Sequence, residues 1–357
     1  MRRKDRGEAA TAWMMSLPAI LGLGLFVVLP LVMGFYWSLT DKRLISSNPT
    51  QFVGLRNYRH LIGLRVITLQ AERTETGVQR RDADGSAIFP PLRPILRSDD
   101  SFLGYRELTT VTVFDRRYVV VSRDPTFYRA LWNTTKFVLV IVPFQGGLAL
   151  LLALLVNQRL RFINFFRAAY FSPVVTSMAV IAIVWTFLYN PEFGLINAIL
   201  NAITFGLTGQ IDWLIDPQTA LLAIIILSAW QAAGFQMVIF LAGLQQIPDV
   251  LYEASRIDGA NLLQQFRYVT WPQLRNTTIF VVVATTILAF RLFTQVDVMT
   301  KGGPLESTVT VVYHAVDQGF RQQRIGYASA ITMVFFVIVI SIALTQRAFL
   351  RSEREVD

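Results

Sequence analysis

The sequence has no cysteine and only two histidines among its 357 residues. Without cysteine, disulfides, zinc–thiolate sites, iron–sulfur clusters and thiol catalysis are excluded. His60 and His314 alone leave little material for a histidine-based metal site or a catalytic triad, and we expect structural roles for both. The sequence therefore predicts neither a catalytic residue nor a metal site.

Charge is also scarce. Charged residues make up 16% of the chain and hydrophobic residues 53%, whereas soluble domains carry about 25% charge. Because so few charges could hardly cover the surface of a soluble protein of this size, the composition predicts a membrane protein surrounded by lipid. The net charge of +9 is not an indication of nucleic-acid binding here, because basic cytoplasmic loops produce the same excess in membrane proteins.

Six charge-poor stretches are long enough to be membrane helices, which need roughly 20 apolar residues. They are residues 9–40 with an apolar centre at 13–39, 137–158, 168–191, 217–248, 276–296 interrupted by Arg291, and 326–346. The pattern predicts an all-α membrane protein with six transmembrane helices. The first stretch is too long for a signal-peptide core and no small-residue cleavage site follows it, so we expect an uncleaved anchor.

The distribution of basic residues predicts the orientation of these helices. Arg and Lys cluster before the first helix, between the second and third, between the fourth and fifth, and after the sixth. The loop between the third and fourth helices instead holds Glu192, Asp212 and Asp216 without Lys or Arg. Both termini are therefore expected in the cytoplasm, as an N-terminal tail at 1–12 and a C-terminal tail at 350–357.

Residues 41–130 form a long, charged loop that this topology puts outside the cytoplasm. Its middle is polar and rich in turn residues, and two β-rich runs at 110–114 and 118–121 flank Asp115-Arg116-Arg117. That pattern is typical of a β-hairpin. The loop is either a small folded subdomain or a disordered insert.

The cytoplasmic segment 245–276 is the most informative part of the chain. Pro248-Asp249 predicts a helix start in which Asp249 caps free backbone N–H groups, followed by a helix over 250–257. Asp258-Gly259 then breaks that helix, because glycine adopts turn conformations that other residues resist. A second helix is expected from Asn261 towards Trp271.

Pro272 is expected to close this helix–turn–helix unit before the next span. A passive loop between bundled helices has about 2–8 residues, whereas this segment is longer and partly apolar. We therefore expect it to dock against another protein.

The same segment resembles the EAA loop of the permease subunits of binding-protein-dependent ABC importers. In that family the loop reads Glu-Ala-Ala, three residues, Gly and later Pro, and it fits a groove of the ATPase subunit. Ser255 stands where the family has a second Ala. The matching residues, which the resemblance assigns to ATPase coupling, are Glu253, Ala254, Ser255, Asp258, Gly259, Ala260, Phe266 and Pro272.

Other segments resemble the carbohydrate permeases of the maltose and glycerol-phosphate type. They are 52–58, Asn133-Thr134, 167–173, 190–197, 240–244, 300–304 and 326–330, in the family's order. The resemblance implies the type I ABC importer permease (MetI-like) fold in the cell inner membrane, with 131–349 as the core permease domain. It also implies import of a sugar or oligosaccharide.

The chain contains no phosphate-binding loop of the form Gly-x4-Gly-Lys-Ser/Thr. None of its four lysines, Lys4, Lys42, Lys136 and Lys301, has Gly before it and Ser or Thr after it. ATP and Mg are therefore expected on a separate ATPase, and no cofactor is expected in this chain. The resemblance implies two ATPase subunits, a second homologous permease subunit and an extracytoplasmic substrate-binding protein as partners.

Polar side chains inside membrane helices are costly and mark candidate substrate contacts. Arg291 and Gln295 are four residues apart and are expected to share a helix face. The alternative for such residues is hydrogen bonding between helices, or for Arg291 a position reaching towards the outer surface. The candidates for the substrate pathway are Gln231, Gln236, Arg291, Gln295 and Asp297.

Three alternatives remain open from the residues. A stand-alone secondary transporter should place several ionisable residues in the membrane and contain broken helices, yet only Arg291 and Asp297 interrupt a span. A membrane enzyme should show paired carboxylates or a histidine cluster in the spans, and the sequence has neither. The third alternative is a permease of the same ABC importer type whose solute is glycerol phosphate, a polyol or an amino acid.

Overall fold

The computed structural model describes residues 2–72, 80–82, 87–113, 116–158 and 161–352, and the protein is mostly helical over these ranges. The first helices are α1 (Arg2–Leu23), α2 (Leu29–Ser38), α3 (Arg56–Ile62), α4 (Leu92–Ser98), α5 (Pro125–Val156), α6 (Ile163–Val175), α7 (Met178–Leu188) and α8 (Leu195–Ile203). They are followed by α9 (Ala220–Gln245), α10 (Asp249–Ile257), α11 (Leu262–Gln265), α12 (Trp271–Gln273), α13 (Arg275–Ala289), α14 (Thr294–Met299), α15 (Val311–Val316) and α16 (Ile325–Ser352). Short π-helical segments occur at Gly24–Val28, Phe266–Thr270 and Asp317–Arg321, and a 3-10 turn at Asp100–Phe102.

The chain divides into two compact units. One contains the described residues up to 127 together with 315–336, and the other contains 128–314 and the described residues from 337 onwards.

Four helices of the described chain are long and apolar enough to cross a membrane: Thr11–Ser38, Pro125–Val156, Ala220–Gln245 and Ile325–Gln346. The pair α6 and α7 qualifies as a fifth only if its two bent halves count as one span. Helix α13 is apolar but has 15 residues, fewer than the roughly 20 that a straight span requires. By length and composition the described residues therefore supply four or five spans, against the six that the sequence predicts.

The third apolar stretch is not the single straight helix expected over 168–191. Helix α6 ends at Val175, α7 begins at Met178, and their axes differ by 101°. Pro173 lies in the last turn of α6, where it lacks a backbone N–H and crowds the preceding turn. Ser177 then takes an extended ψ of 129°. The two halves together are apolar enough to pass for one span, so a search for apolar stretches cannot detect the bend.

The second apolar helix also differs from the expectation, because it begins at Pro125 rather than at Phe137. The Oδ1 atom of Asp124 accepts a hydrogen bond from the backbone N–H of Phe127 at 3.0 Å, which caps the helix, and proline is tolerated in a first turn. Arg129 and Lys136 interrupt the apolar run, so the charge-free stretch in the sequence begins only at Phe137.

The segment before α5 contains a three-stranded antiparallel sheet. Its strands are β1 (Leu64–Gln70), β2 (Arg106–Val113) and β3 (Arg116–Ser122), in the order β1-β3-β2. Val119 and Val121 alternate with less buried neighbours along β3 and form a small core with Leu69, as expected for a sheet with one packed face. Of the predicted turn Asp115-Arg116-Arg117, Asp115 lies outside the described residues, whereas Arg116 and Arg117 belong to β3 and not to a turn.

Helix α9 is the centre of the second unit, and α6 packs across it. A Cβ atom at Gly234 would collide with the backbone carbonyl of Tyr170 in α6, so only glycine permits this close approach. Towards its C-terminal end, α9 contributes Met237, Phe240 and Leu244 to a core that also includes Leu274 and Val281. This core lies beneath the segment that carries the EAA-like residues.

Candidate functional site

Segment 245–276 begins with helix α10, which starts at Asp249 as the Pro248-Asp249 pair predicts. The residue that precedes the helix is Pro248, and no side-chain cap is present. The expectation that Asp249 caps the helix is therefore wrong, because Asp249 is itself helical. Its carboxylate instead lies in the first turn, near the positive end of the helix dipole.

The turn after α10 is built from Gly259 and Asn261. Gly259 has a φ of +77°, a left-handed conformation that is strained for residues with a side chain. Asn261 then caps α11, accepting a hydrogen bond from the backbone N–H of Gln264 at 2.9 Å. The Gln264 side chain accepts one from the backbone N–H of Asn261 at 2.8 Å. This capping box fixes the start of the second helix.

The second helix ends at Gln273, one residue beyond the Pro272 that the sequence predicts as its end, and before α13 begins at Arg275. It continues through the π-helical segment Phe266–Thr270 into α12, with Pro272 in the first turn of α12. In the π segment the backbone N–H of Trp271 bonds to the carbonyl of Phe266, five residues back. This local rearrangement and the first-turn position accommodate a residue that has no N–H to donate.

The two halves of the segment are tied together and anchored to the core beneath them. The hydroxyls of Tyr252 and Thr270 are 2.9 Å apart, and Tyr252 also packs against the core with Val269. Ile247 before α10 and Leu274 after α12 are themselves buried in that core. The segment is therefore a fixed projection and not a loose connection.

The opposite face of the segment is exposed and partly apolar. Ile257 is 87% exposed and Leu262 is 84% exposed. The acidic side chains of Glu253 and Asp258 are exposed beside them. Because apolar side chains grouped on a surface mark interaction sites, the EAA-like residues form a candidate docking surface.

A second candidate site is a cavity of about 240 Å³ among the apolar helices of the same unit; it is called the polar cavity here for the six polar side chains in its otherwise apolar lining. Three of the predicted pathway residues line it, Gln231, Arg291 and Gln295, together with Gln145. Amides and a guanidinium can hydrogen-bond hydroxyl groups or an anionic group. Such a lining can recognise a polar solute.

Arg291 and Gln295 reach this cavity by a route that differs from the prediction. Helix α13 ends at Ala289 and α14 begins at Thr294, so the two residues do not share one continuous helix. The chain turns between them, and Arg291 remains exposed. The prediction that Arg291 and Gln295 share a helix face is therefore wrong, although both side chains line the same cavity.

The two other predicted pathway residues do not line the cavity. Gln236 is buried and donates a hydrogen bond to Thr285, while its Oε1 atom has no partner among the described residues. Asp297 lies in the first turn of α14. Gln236 therefore supports the cavity wall through Thr285, which does line the cavity.

Sequence reasoning missed Ser228 and Thr285 as lining residues. Ser228 lies three residues before Gln231 on α9, which puts both on one helix face, and it accepts a hydrogen bond from Gln295 at 3.3 Å. That spacing could have identified it. Thr285 has no comparable signal, because threonines within apolar helices commonly bond their own backbone, as Thr285 also does to Val281.

Aromatic rings line a second cavity, of about 440 Å³, in this unit. Trp185 and Trp230 are in contact there, with ring centroids 5.4 Å apart and ring planes tilted by 51°, and Tyr170 and Pro173 also line the cavity. Gln231 donates to the carbonyl of Pro173 at 3.4 Å. An aromatic cavity beside a polar one combines apolar platforms with hydrogen-bonding groups.

Comparison with known proteins gives a consistent result. Residues 145–355 match the family described as binding-protein-dependent transport system inner membrane component. The Bacillus subtilis protein named Probable ABC transporter permease protein YurN is 37% identical over 67% of this chain and 82% of its own length. The arabinooligosaccharides transport system permease protein AraP of Halalkalibacterium halodurans is 33% identical over 73% of this chain and 81% of its own.

A solved bacterial ABC transporter involved in the import of the acidic polysaccharide alginate shares the fold. The two structures superimpose over 99% of this chain and 99% of the transporter chain, with a TM-score of 0.67 and 18% sequence identity. The EAA-like segment and its core lie within the residues that match the family. The chain belongs to the family of binding-protein-dependent transport system inner membrane components.

Proposed function

We propose that this permease imports a sugar or oligosaccharide delivered by an extracytoplasmic binding protein. The observation that carries the proposal is the pair of cavities in one unit, one lined by amides and Arg291 and the other by Trp185 and Trp230. Sugars present hydroxyl groups and apolar ring faces, which these two linings complement. The name of the AraP relative supports the same solute class.

The proposed topology has six spans with both termini in the cytoplasm. The four long apolar helices would be joined by the bent pair α6 and α7 and by the broken pair α13 and α14. Broken helices are compatible with a membrane protein where they line a cavity, and Gln295 of α14 lines one here. The insert with the sheet would then be extracytoplasmic, and segment 245–276 cytoplasmic.

In the proposed mechanism, two separate ATPase subunits bind ATP and Mg and close upon nucleotide binding. Segment 245–276 transmits that closure to the permease, with Glu253 and Gly259 at its docking surface and a second, homologous permease subunit completing the pathway. Closure favours an outward-open state that accepts the solute, and hydrolysis returns the permease to an inward-open state. The exposed apolar face and the Tyr252–Thr270 tie support this role.

Uptake by cells carrying Gly259→Val tests the coupling assignment. Valine at a φ of +77° is strained by roughly 1–2 kcal/mol, so the turn should be displaced although no neighbour would clash with the new side chain. We expect loss of uptake and of ATPase co-purification, with normal membrane insertion. Glu253→Lys, which reverses a charge on the exposed face, should have the same effect.

Gly206→Val is the matched control. Gly206 has a φ of +82° and open space around its Cβ position, so the substitution introduces the same strain elsewhere in the same unit. It should leave uptake and ATPase recovery intact. Normal transport and normal complex recovery in both coupling variants would exclude the proposed role of the segment.

A second solute class, glycerol phosphate or another anionic solute, is favoured by one observation, the exposed guanidinium of Arg291 in the polar cavity. Arg291→Gln removes the charge and keeps hydrogen-bonding capacity. If the solute is a neutral sugar, uptake should change by less than about tenfold, whereas loss of a charge-assisted contact to an anionic solute should reduce it by more. Loss of complex assembly instead would assign Arg291 a structural role.

A further inference from the structure

Five cationic side chains line a cavity of about 310 Å³ in the unit that contains the sheet. They are Lys42, Arg43, Arg56, Arg123 and Arg324. One carboxylate, that of Asp41, is in the same lining, and its Oδ1 atom already accepts a hydrogen bond from the backbone N–H of Gln51 at 2.7 Å. The cavity therefore carries an excess of positive charge.

The ion pairs found within the described ranges do not neutralise these cations. Three of them lie over aromatic rings: Lys42 over Trp37 at 4.8 Å, Arg123 over Tyr105 at 5.0 Å and Arg324 over Tyr327 at 4.9 Å. Ring faces orient a cation but leave its net charge in place. The Nε atom of Arg123 is also buried without a hydrogen-bond partner in the described part of the chain.

His60 lies in the wall of the same cavity, beside these cations. Its Nδ1 atom is 3.2 Å from the hydroxyl of Tyr327, which donates to Asp124 at 2.5 Å. Burial lowers the pKa of His60, and the charges of Arg324, Arg123 and Arg106 lower it further against the opposing charge of Asp124. The positive charges around the imidazole therefore outweigh the neighbouring carboxylate.

The cavity lies where three apolar helices end. Helix α2 ends at Ser38, α5 begins at Pro125 directly after Asp124, and α16 begins at Ile325 directly after Arg324. Lys42 and Gly326 are joined by a backbone hydrogen bond of 2.9 Å. In an inner membrane protein, the ends of such helices lie at the boundary between hydrocarbon and water, where lipid phosphates are found.

We propose that this cavity binds the phosphate of an anionic phospholipid headgroup. Arginine is suited to the task because its planar fork of N–H donors matches phosphate oxygens in pairs, and four of the five cations are arginines. The five cations against one carboxylate favour an anionic lipid over a zwitterionic one. The lining of this cavity shares no residue with the two candidate solute cavities or with segment 245–276.

The test compares the full-length chain in nanodiscs of dioleoylphosphatidylcholine with and without dioleoylphosphatidylglycerol. A bound phosphate beside His60 stabilises the imidazolium, so phosphatidylglycerol should raise the His60 pKa measured by NMR, the signal being identified by its loss in His60→Gln. Native mass spectrometry should show preferential retention of phosphatidylglycerol. In Arg43→Gln/Arg56→Gln the pKa rise should disappear and retention should weaken by about tenfold or more.

Arg93→Gln/Arg97→Gln is the matched control, because both arginines are exposed on α4 in the same unit and outside the cavity. It should retain phosphatidylglycerol normally. If the cavity double variant fails to fold, the single Arg43→Gln variant serves for the same comparison. Equal retention of both lipids with an unchanged His60 pKa would overturn the proposal. An equal pKa rise from millimolar inorganic phosphate in phosphatidylcholine discs would identify a soluble-anion site and overturn the lipid assignment.

Discussion

Single buried side chains position the loop that follows α14. Asn133 on α5 is 4% exposed, and its amide donates to the carbonyls of Glu306 at 2.8 Å and Val309 at 3.1 Å. The next residue, Thr134, accepts a hydrogen bond from the backbone N–H of Val311 at 3.2 Å. The Asn133-Thr134 pair is recognised in the sequence only as a family resemblance. In the structure it holds residues 306–311 against α5.

Asn133→Ala should lower the free energy of unfolding by about 1–3 kcal/mol, because the half-buried carbonyl of Glu306 and the buried carbonyl of Val309 lose their donor. The measurement is chemical denaturation of the purified chain in detergent, followed by tryptophan fluorescence. Asn157→Ala is the matched control, since Asn157 is exposed just beyond the end of the same helix. Equal stability of the two variants would show that the Asn133 bonds contribute nothing.

At the scale of elements, the crossing of α6 and α9 depends on the absence of a side chain at one point. Gly234→Ala inserts a Cβ against the Tyr170 carbonyl, and overpacking of this kind typically costs about 1–3 kcal/mol. We expect a lower midpoint of thermal unfolding and a disturbed aromatic cavity, because Tyr170 and Gly234 both line it.

Gly146→Ala on α5 is the control for this helix crossing. A Cβ atom there meets nothing within 4 Å, so the change should be neutral or stabilise the helix by up to about 1 kcal/mol. A similar loss of stability in both variants would indicate a general effect of glycine replacement and not the helix crossing.

The sequence predicted the elements well where physical signals are local. Proline before Asp249, glycine at 259 and long apolar runs located α10, its end and the four long helices. It failed where geometry depends on neighbours. The bend after Pro173, the π segment that accommodates Pro272, and the turn that separates Arg291 from Gln295 leave the apolar pattern unchanged.

The candidate site shows the same division. Gln231 was identified because an amide among apolar residues is conspicuous in a sequence. Ser228 and Thr285 are small, and only packing of α9 and α13 in the same unit brings their hydroxyls to the cavity. The cationic cavity was not predicted at all, because Lys42, Arg123 and Arg324 are far apart along the chain.

At the scale of the whole molecule, the absence of cysteine makes the proposed topology directly measurable. Glu8→Cys places a thiol in the N-terminal tail, and Ser98→Cys places one on the exposed end of α4 in the insert. A membrane-impermeant maleimide should label Ser98→Cys in intact spheroplasts and Glu8→Cys only after permeabilisation. The unsubstituted chain supplies a blank without labelling.

Labelling of Glu8→Cys in intact spheroplasts would refute the cytoplasmic N-terminus. Protection of Ser98→Cys before and after permeabilisation would indicate instead that α4 is covered by a partner. Uptake by each variant should be measured alongside, so that only functional protein is interpreted.

The hydrogen bond between Tyr252 and Thr270 has a mechanical consequence. If α10 and α11 were joined only by the glycine turn, a force applied to one helix would change the angle between them. The bond between these hydroxyls makes the two helices one stiff unit, which continues through the buried Leu274 into α13. A displacement of the exposed end of the segment would therefore move the start of α13 as well, with little change of shape within the segment.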